Sequence, residues 1–243
     1  MIFAAGRGTR LKPLTDAKPK ALVEIGGKTL LERAVTYLKS HGITNITVNV
    51  FHYAGQIRDF LQQRDNFGTH MQVSDETGML LDTGGGLLKA REFLEGEEPI
   101  LLINVDILTN LDLHHLFQAH ARSGALVSLV VRRRNTSRYL LFDRHDQLTG
   151  WKNSHTGEIK MRRPGASAGT IPMAFSGIHL IEPALFSLVR ESGRFSVIDL
   201  YLRLSASEKI MAFTDNGSIW MDLGKFEDFA RAEALVRQIE EEE

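Results

Sequence analysis

Met1-Ile2-Phe3-Ala4-Ala5-Gly6-Arg7-Gly8-Thr9-Arg10-Leu11-Lys12-Pro13-Leu14-Thr15 is the stretch from which the rest of the chain can be read. Its apolar start predicts the end of a strand beginning almost at the first residue. Ala4 and Ala5 are small, Gly6 and Gly8 admit tight backbone conformations, and Arg7 and Arg10 bring positive charge. Small residues let backbone N–H groups crowd around an anion, so a glycine-rich turn leaving a buried strand is a candidate phosphate cradle. The same residues also suit a plain strand-to-helix turn with two solvated arginines. Two better-known cradles are excluded. Leu11 stands where a dinucleotide fingerprint needs its third glycine, and no Gly-Lys-Ser/Thr closes a P-loop.

Outward from this loop the hydrophobic pattern alternates. Residues 28–40 place Leu30, Leu31, Ala34, Val35 and Leu38 on one helical stripe, and Asn45–Val50 reads as a buried strand. Residues 53–64 predict a second amphipathic helix, 71–73 a short strand, 99–104 a continuous β run, and 111–122 a helix. Strands alternating with helices indicate a mainly parallel sheet covered on both faces. Ligands of such sheets lie beyond the carboxyl ends of the strands, which puts the first loop and whatever follows Asn104 in one crevice. From 124 to 213 the pattern changes to strands at 126–131, 139–142, 147–151 and 172–181. Residues 157–169 read as a basic, glycine-containing loop, and residues 225–243 as a closing helix with a Glu-rich end. No linker or repeat interrupts the 243 residues, so a single α/β domain is expected.

Composition narrows the chemistry. A net charge of −1 gives no general attraction to nucleic acid or membrane, so any anion site must be local. No apolar run approaches the roughly 18 residues of a membrane span, and nothing resembles a signal peptide. The absence of cysteine excludes disulfides, thiolate zinc sites and cysteine nucleophiles, and fits a cytoplasmic location.

Three further clusters carry possible chemistry. Asp82-Thr83-Gly84-Gly85-Gly86-Leu87 precedes a predicted helix, where glycines let backbone approach a flat ring and a helix start supplies N–H groups. It also reads as a flexible loop with an N-cap. Asn104-Val105-Asp106 ends a buried strand in a carboxylate, either a site residue or a cap for the next turn. Trp220-Met221-Asp222-Leu223-Gly224 offers a second carboxylate, far away in sequence. Two such groups with phosphate oxygens and water suit Mg²⁺, a hard cation that keeps part of its water shell. His114, His115 and His120 are expected on a solvated helix face, and Trp151 in the core.

The opening loop together with Pro19-Lys20-Ala21-Leu22-Val23 resembles the sugar-1-phosphate nucleotidyltransferases. The likeness extends through Asp-Thr-Gly-Gly-Gly, Asn-Val-Asp, Phe175-Ser176-Gly177-Ile178 and Trp-Met-Asp-Leu-Gly, nearly the whole chain. It implies a Rossmann-like, mainly parallel but mixed sheet flanked by helices, with a small β-rich sugar-binding extension. Residues 1–123 would form the nucleotide-binding half and 124–224 the sugar-binding half. By the same likeness Ala4, Ala5, Gly6, Gly8 and Thr9 cradle the nucleoside triphosphate, and Arg10 and Lys20 are catalytic. Gly84 and Gly85 would contact the base, with Asp82 and Thr83 shaping its pocket. Asn104, Lys152, Ser176 and Gly177 would bind the sugar 1-phosphate, and Asp106 and Asp222 would hold magnesium. Val105 and Asn153 depart from the family pattern.

The Asp-Thr-Gly-Gly-Gly form resembles the uridylyltransferases that act on N-acetylmuramate 1-phosphate in peptidoglycan recycling. That implies UTP and this sugar 1-phosphate as partners. A mannose- or heptose-1-phosphate guanylyltransferase and a silent, sugar-nucleotide-binding regulator are the alternatives. A monomer is expected, because the chain carries no left-handed β-helix repeats. Met161-Arg162-Arg163 is one suggestion for binding a lactyl carboxylate, alongside plain solvated charge.

Overall fold

The computed structural model describes residues 1–161 and 169–242. Arg162 and Arg163 therefore lie outside the described residues.

The strands in chain order are β1 (Ile2–Phe3), β2 (Glu24–Ile25), β3 (Lys28–Thr29), β4 (Asn45–Val50), β5 (His70–Asp75), β6 (Ile100–Asn104) and β7 (Ile107–Thr109). They continue as β8 (Val127–Arg132), β9 (Arg138–Phe142), β10 (Leu148–Asn153), β11 (Ile159–Met161), β12 (Ile171–Ile181), β13 (Ile210–Thr214) and β14 (Trp220–Asp222). The helices are α1 (Leu30–Ser40), α2 (Ala54–Gln63), α3 (Asp82–Lys89), α4 (Leu113–Ser123), α5 (Leu185–Leu188), α6 (Val197–Leu204) and α7 (Phe229–Glu242).

A ten-stranded mixed sheet runs β11-β10-β9-β12-β6-β1-β4-β5, with β8 attached alongside β12 and β13 alongside β8. Strands β6, β1, β4 and β5 are parallel, as the βαβ alternation requires, and β12 enters antiparallel to β6. The long β12 serves both halves: Ile178–Ile181 pair with β6, and Ile171–Met173 pair with β9. Period-two alternation sends each strand's side chains to two cores. Ile2, Leu101 and Ile103 pack with α1, α2 and α4 on one face, while Phe3, Ile100 and Leu102 pack with α6 on the other.

Local signals set the helix limits. Thr29 accepts from the Glu32 N–H at 3.1 Å to start α1, and Asp112 accepts from His114 and His115 to start α4. The expectation for His120 is corrected: it is buried, Nδ1 lying 2.7 Å from Ser128 Oγ and Nε2 2.9 Å from Glu182 Oε1. Its spacing of seven from Leu113 and four from Leu116 puts it on the buried stripe of α4. The expected loop at 157–169 contains a strand, β11, which pairs with β10; Asn153 Oδ1 accepts from the His155 N–H at 2.9 Å in the turn between them.

Strands β7 and β14 are too short to announce themselves in the sequence, yet they decide the site. They pair antiparallel with Asp222 opposite Ile107, and Leu223 donates to the Asp106 carbonyl at 2.9 Å. Residues more than a hundred apart are thereby fixed side by side.

Candidate functional site

The strand ends and loops enclose three adjoining cavities. The first, about 290 Å³, has Ala4, Ala5 and Gly6 on its walls, with Asp82, Thr83, Lys20 and Asp106 also among its lining. The second, about 770 Å³, is lined by Asn104, Ser176, Gly177, Trp151 and Phe175, and is shared with the first at Asp82 and Asn104. The third, about 600 Å³, shares Arg10, Arg134, Trp220 and Asp222 with the second.

The opening loop folds over Lys20. Gly8 has φ +63°, and a Cβ there would lie 2.9 Å from Thr15 Cγ2 and 3.0 Å from Lys20 Cβ, so neither the conformation nor the space admits a side chain. Thr15 Oγ1 donates to the Gly8 carbonyl at 2.9 Å and ties the loop shut. Thr9 and Arg10 lie in the single 3₁₀ turn that follows, both exposed.

The root of the loop rests on a polar network that sequence reading missed. Asn49 Oδ1 accepts from the Ala4 N–H at 2.7 Å and the Ala5 N–H at 3.3 Å, while Asn49 Nδ2 donates to Glu76 Oε1 at 2.7 Å. Glu76 Oε2 in turn accepts from the Leu81 N–H at 3.1 Å. Ala4 and Ala5 thus border the cavity with their N–H groups already engaged by Asn49. Glu76 is 1% exposed, and burial raises its carboxyl pKa above the usual range. The available signal was Asn49 itself, a polar residue within an otherwise buried strand.

Gly84 and Gly85, expected at the base, are not among the residues lining the first cavity and pack instead against the 193–195 segment. The Gly84 N–H donates to the Phe195 carbonyl at 2.9 Å, and a Cβ on Gly84 would lie 2.3 Å from the Phe195 ring. A Cβ on Gly85 would lie 2.2 Å from the Gly193 carbonyl oxygen. The helix begins within the motif, and its glycines let the 193–195 segment pack directly on the backbone. Asp82 and Thr83 do line the cavity; Asp82 Oδ1 accepts from the Thr83 N–H at 2.7 Å. Arg194, carried by that packed segment, is a further lining residue.

Asp106, Asp222, Lys20 and Arg10 converge where the cavities meet. Lys20 Nζ pairs with Asp106 Oδ2, both side chains being largely buried. Burial and the neighbouring Asp106 carboxylate raise the pKa of Asp222, against the opposing pull of Lys20 and Arg10. Asp222 Oδ1 is buried without a hydrogen-bond donor. At Gly224 a Cβ would lie 2.8 Å from that oxygen and 2.9 Å from Arg10 Nη2, so the missing side chain is what lets the guanidinium and carboxylate come this close. Val105 is buried, donates its N–H to the Phe3 carbonyl at 3.1 Å and lines the first cavity beside Asp106.

An orphaned carboxylate oxygen beside a second carboxylate is the donor chemistry of a hard divalent cation. Two carboxylates alone underfill an octahedron, and no cluster of three acidic or histidine ligands occurs among the described residues. Such an ion would need water and ligand oxygens to complete its shell.

In the second cavity Ser176 and Gly177 sit in a register shift of β12 between Phe175 and His179. Gly177 has φ +77°, and a Cβ there would lie 2.9 Å from Asn104 Nδ2. The Trp220 indole donates to the Ser176 carbonyl at 2.9 Å, locking the bulge to β14. Lys152 does not join these residues. Period-two alternation turns Trp151 into the cavity and leaves its neighbour Lys152 exposed on the other face. Trp151 packs half-buried against the core, as expected, and also lines the cavity, where Lys160 from β11 lies over its ring at 5.2 Å. Lys160 also faces Asp199 at 3.4 Å. Arg134 is the other missed cation, stacked 4.5 Å above Trp220, its pKa lowered by burial.

Residues 1–147 match the family model described as nucleotidyl transferase. The N-acetylmuramate alpha-1-phosphate uridylyltransferase of Caulobacter vibrioides is 31% identical, over 98% of this chain and 96% of its own length. The enzyme of the same name from Neisseria meningitidis serogroup B is 29% identical, over 97% of each chain. Among solved structures, HddC from Yersinia pseudotuberculosis superposes with a TM-score of 0.76 at 22% identity, covering 97% of both chains, a likeness of fold. No helix among the described residues is long and apolar enough to cross a membrane.

Proposed function

Because the chain belongs to the sugar-1-phosphate nucleotidyltransferase family, we propose that it transfers UMP from UTP to N-acetylmuramate 1-phosphate, releasing pyrophosphate. The observation that carries this reading is the meeting of Asp106, Asp222, Lys20 and Arg10 at the junction of the cavities. Similarity over nearly the full length to two uridylyltransferases for that sugar supports the choice of substrates.

The first cavity takes the nucleoside and the second the sugar, with their phosphates meeting between them. An oxygen of the sugar phosphate attacks the α-phosphorus, a new P–O bond forms, and the bond to the β-phosphate bridging oxygen breaks with its electron pair leaving on pyrophosphate. The attacking phosphate is already anionic near neutral pH, so no side chain has to accept a proton. The obstacle is repulsion between two polyanions, and catalysis falls to positioning and cationic stabilisation. Lys20, held by Asp106, presents a fixed positive charge to the α-phosphate. Arg10 stands beside Asp222 and meets the triphosphate. Asp106 and Asp222 would hold Mg²⁺, which when bound neutralises phosphate oxygens. Asn104 borders both cavities and orients the sugar side.

The test is pyrophosphate release with Mg²⁺, crossing UTP, dTTP, GTP, CTP and ATP with the 1-phosphates of N-acetylmuramate, N-acetylglucosamine, glucose and mannose. Turnover strongest with UTP and N-acetylmuramate 1-phosphate is expected. Preference for another pair would discard these substrates, and no turnover from folded, nucleotide-binding protein would discard the activity.

A further inference from the structure

Lys152, the cation expected to hold the acceptor phosphate, is exposed on the outer face of β10, so another group must meet that charge. We propose that Arg134 binds the phosphate of the incoming sugar 1-phosphate. The inference rests on the nucleotidyl-transfer reading above.

Arg134 lies two residues beyond β8, on the wall common to the second and third cavities. Its guanidinium is held on two sides. The Cζ stands 4.5 Å from the centre of the Trp220 ring, and Nη2 donates to the Phe175 carbonyl at 3.1 Å. These contacts fix the plane of the group without using up its donors, since a guanidinium carries five N–H groups in a rigid fork. The Nε–H is buried with no acceptor.

Other cations of these cavities are committed or loosely placed. Arg132 also has a buried Nε–H with no acceptor, but its Nη2 is held by Asp215 at 2.8 Å and the Ser218 carbonyl at 3.0 Å, and it lines the third cavity without reaching the second. Lys160 faces Asp199 at 3.4 Å, and Arg138 is exposed. Arg134 is preorganised and still short of an acceptor. Nor does Asp222, the carboxylate whose field reaches it, form a hydrogen bond to it.

Position selects the ligand group. Asp222 marks the end of the second cavity where transfer occurs, and the part of a sugar 1-phosphate that belongs there is its phosphate. A fork of N–H donors matches two phosphate oxygens at once, whereas a lysine ammonium offers a point charge. Trp220 couples the group to the sugar segment, because the same indole that stacks under Arg134 donates to Ser176.

The experiment compares wild type, Arg134→Gln, Arg134→Lys and Lys152→Gln, each first shown to melt like wild type. Calorimetry measures binding of N-acetylmuramate 1-phosphate, N-acetylglucosamine 1-phosphate and inorganic phosphate. Steady-state kinetics then measure KM for each acceptor and for UTP. Losing a hydrogen-bonded charge contact should weaken both acceptors by about 10- to 100-fold in Arg134→Gln. UTP KM should stay within about twofold, Arg134→Lys should recover part of the loss, and Lys152→Gln should bind as wild type.

Unchanged acceptor affinity in Arg134→Gln overturns the assignment, as does a loss confined to the carboxylate-bearing N-acetylmuramate compound. An equal rise in UTP KM overturns it too, by assigning Arg134 to the triphosphate. If wild type binds a sugar 1-phosphate through Arg134 yet transfers no nucleotide to it, the proposed function fails while this inference stands. If Arg134→Gln is unstable, the comparison of Arg134→Lys with wild type for the two acceptors decides.

Discussion

Replacing Gly85 by alanine separates a glycine that packs from a glycine that reads a base. The added Cβ would stand 2.2 Å from the Gly193 carbonyl oxygen and 2.9 Å from Leu81 Cβ. An ordinary contact needs more than 3 Å, so the 193–195 backbone must retreat by close to 1 Å, and a backbone carbonyl cannot swing aside as a side chain can. That retreat stretches the Gly84 N–H bond to Phe195, now 2.9 Å, and the weaker Gly85 bond at 3.3 Å. Overpacking costs about 1–3 kcal/mol, and a weakened hydrogen bond adds about 1 kcal/mol. Alanine's better helix propensity returns at most about 1 kcal/mol. The net destabilisation is about 1–3 kcal/mol, a fall in Tm of roughly 3–10 °C for a chain of this size. Scanning calorimetry and urea unfolding measure it, and UTP KM is read well below the transition. A wild-type Tm combined with a UTP KM raised tenfold or more would refute the packing argument and restore Gly85 as a base contact.

Other outcomes follow from the same structure. Asn49→Ala leaves the Ala4 N–H and one Glu76 oxygen without partners and should lower stability by about 2–4 kcal/mol in urea unfolding; a loss under 0.5 kcal/mol would mean that the network is solvated. Lys20→Ala and Asp222→Asn should each lower turnover by roughly 10²–10³, the scale of a preorganised charge-stabilising group, with the fold intact by circular dichroism. Chelation with EDTA should abolish turnover and added Mg²⁺ restore it; full activity in chelator would remove Asp106 and Asp222 from metal binding. His179 is fully buried, and burial lowers its pKa to about 3. Its unfolded-state pKa is about 6.5, so between these values the unfolded chain binds a proton that the native state refuses, and stability falls as pH drops. The slope from this group is about 1.4 kcal/mol per pH unit below 6.5, and His179→Gln should remove it from the pH dependence of the urea midpoint.

The periodicity of strands and helices was enough to state an α/β fold, because buried faces leave a local signature at spacings of two and 3.6 residues. Asn45–Val50 was legible to the residue, and α1 nearly so. The chemical types of the site were legible too, since glycine, arginine, lysine and aspartate in the opening loop and at two strand ends have few joint uses. Contact across the chain was not. Asp106 and Asp222 meet through two three-residue strands whose pairing has no local code. The Asp-Thr-Gly-Gly-Gly motif shows the limit most clearly. Its composition fits a ligand loop and a close helix packing equally well, and only the position of Phe195, over a hundred residues away, reveals the close packing at Gly84. Lys152 and Trp151 teach the same lesson at the scale of one residue, because alternate faces of β10 are set by strand register. Sequence alone determined which elements form and which chemistry is available. Tertiary structure decided which side chains share a cavity, because a glycine, a register or a carboxylate pair acquires its meaning from a neighbour that local patterns cannot name.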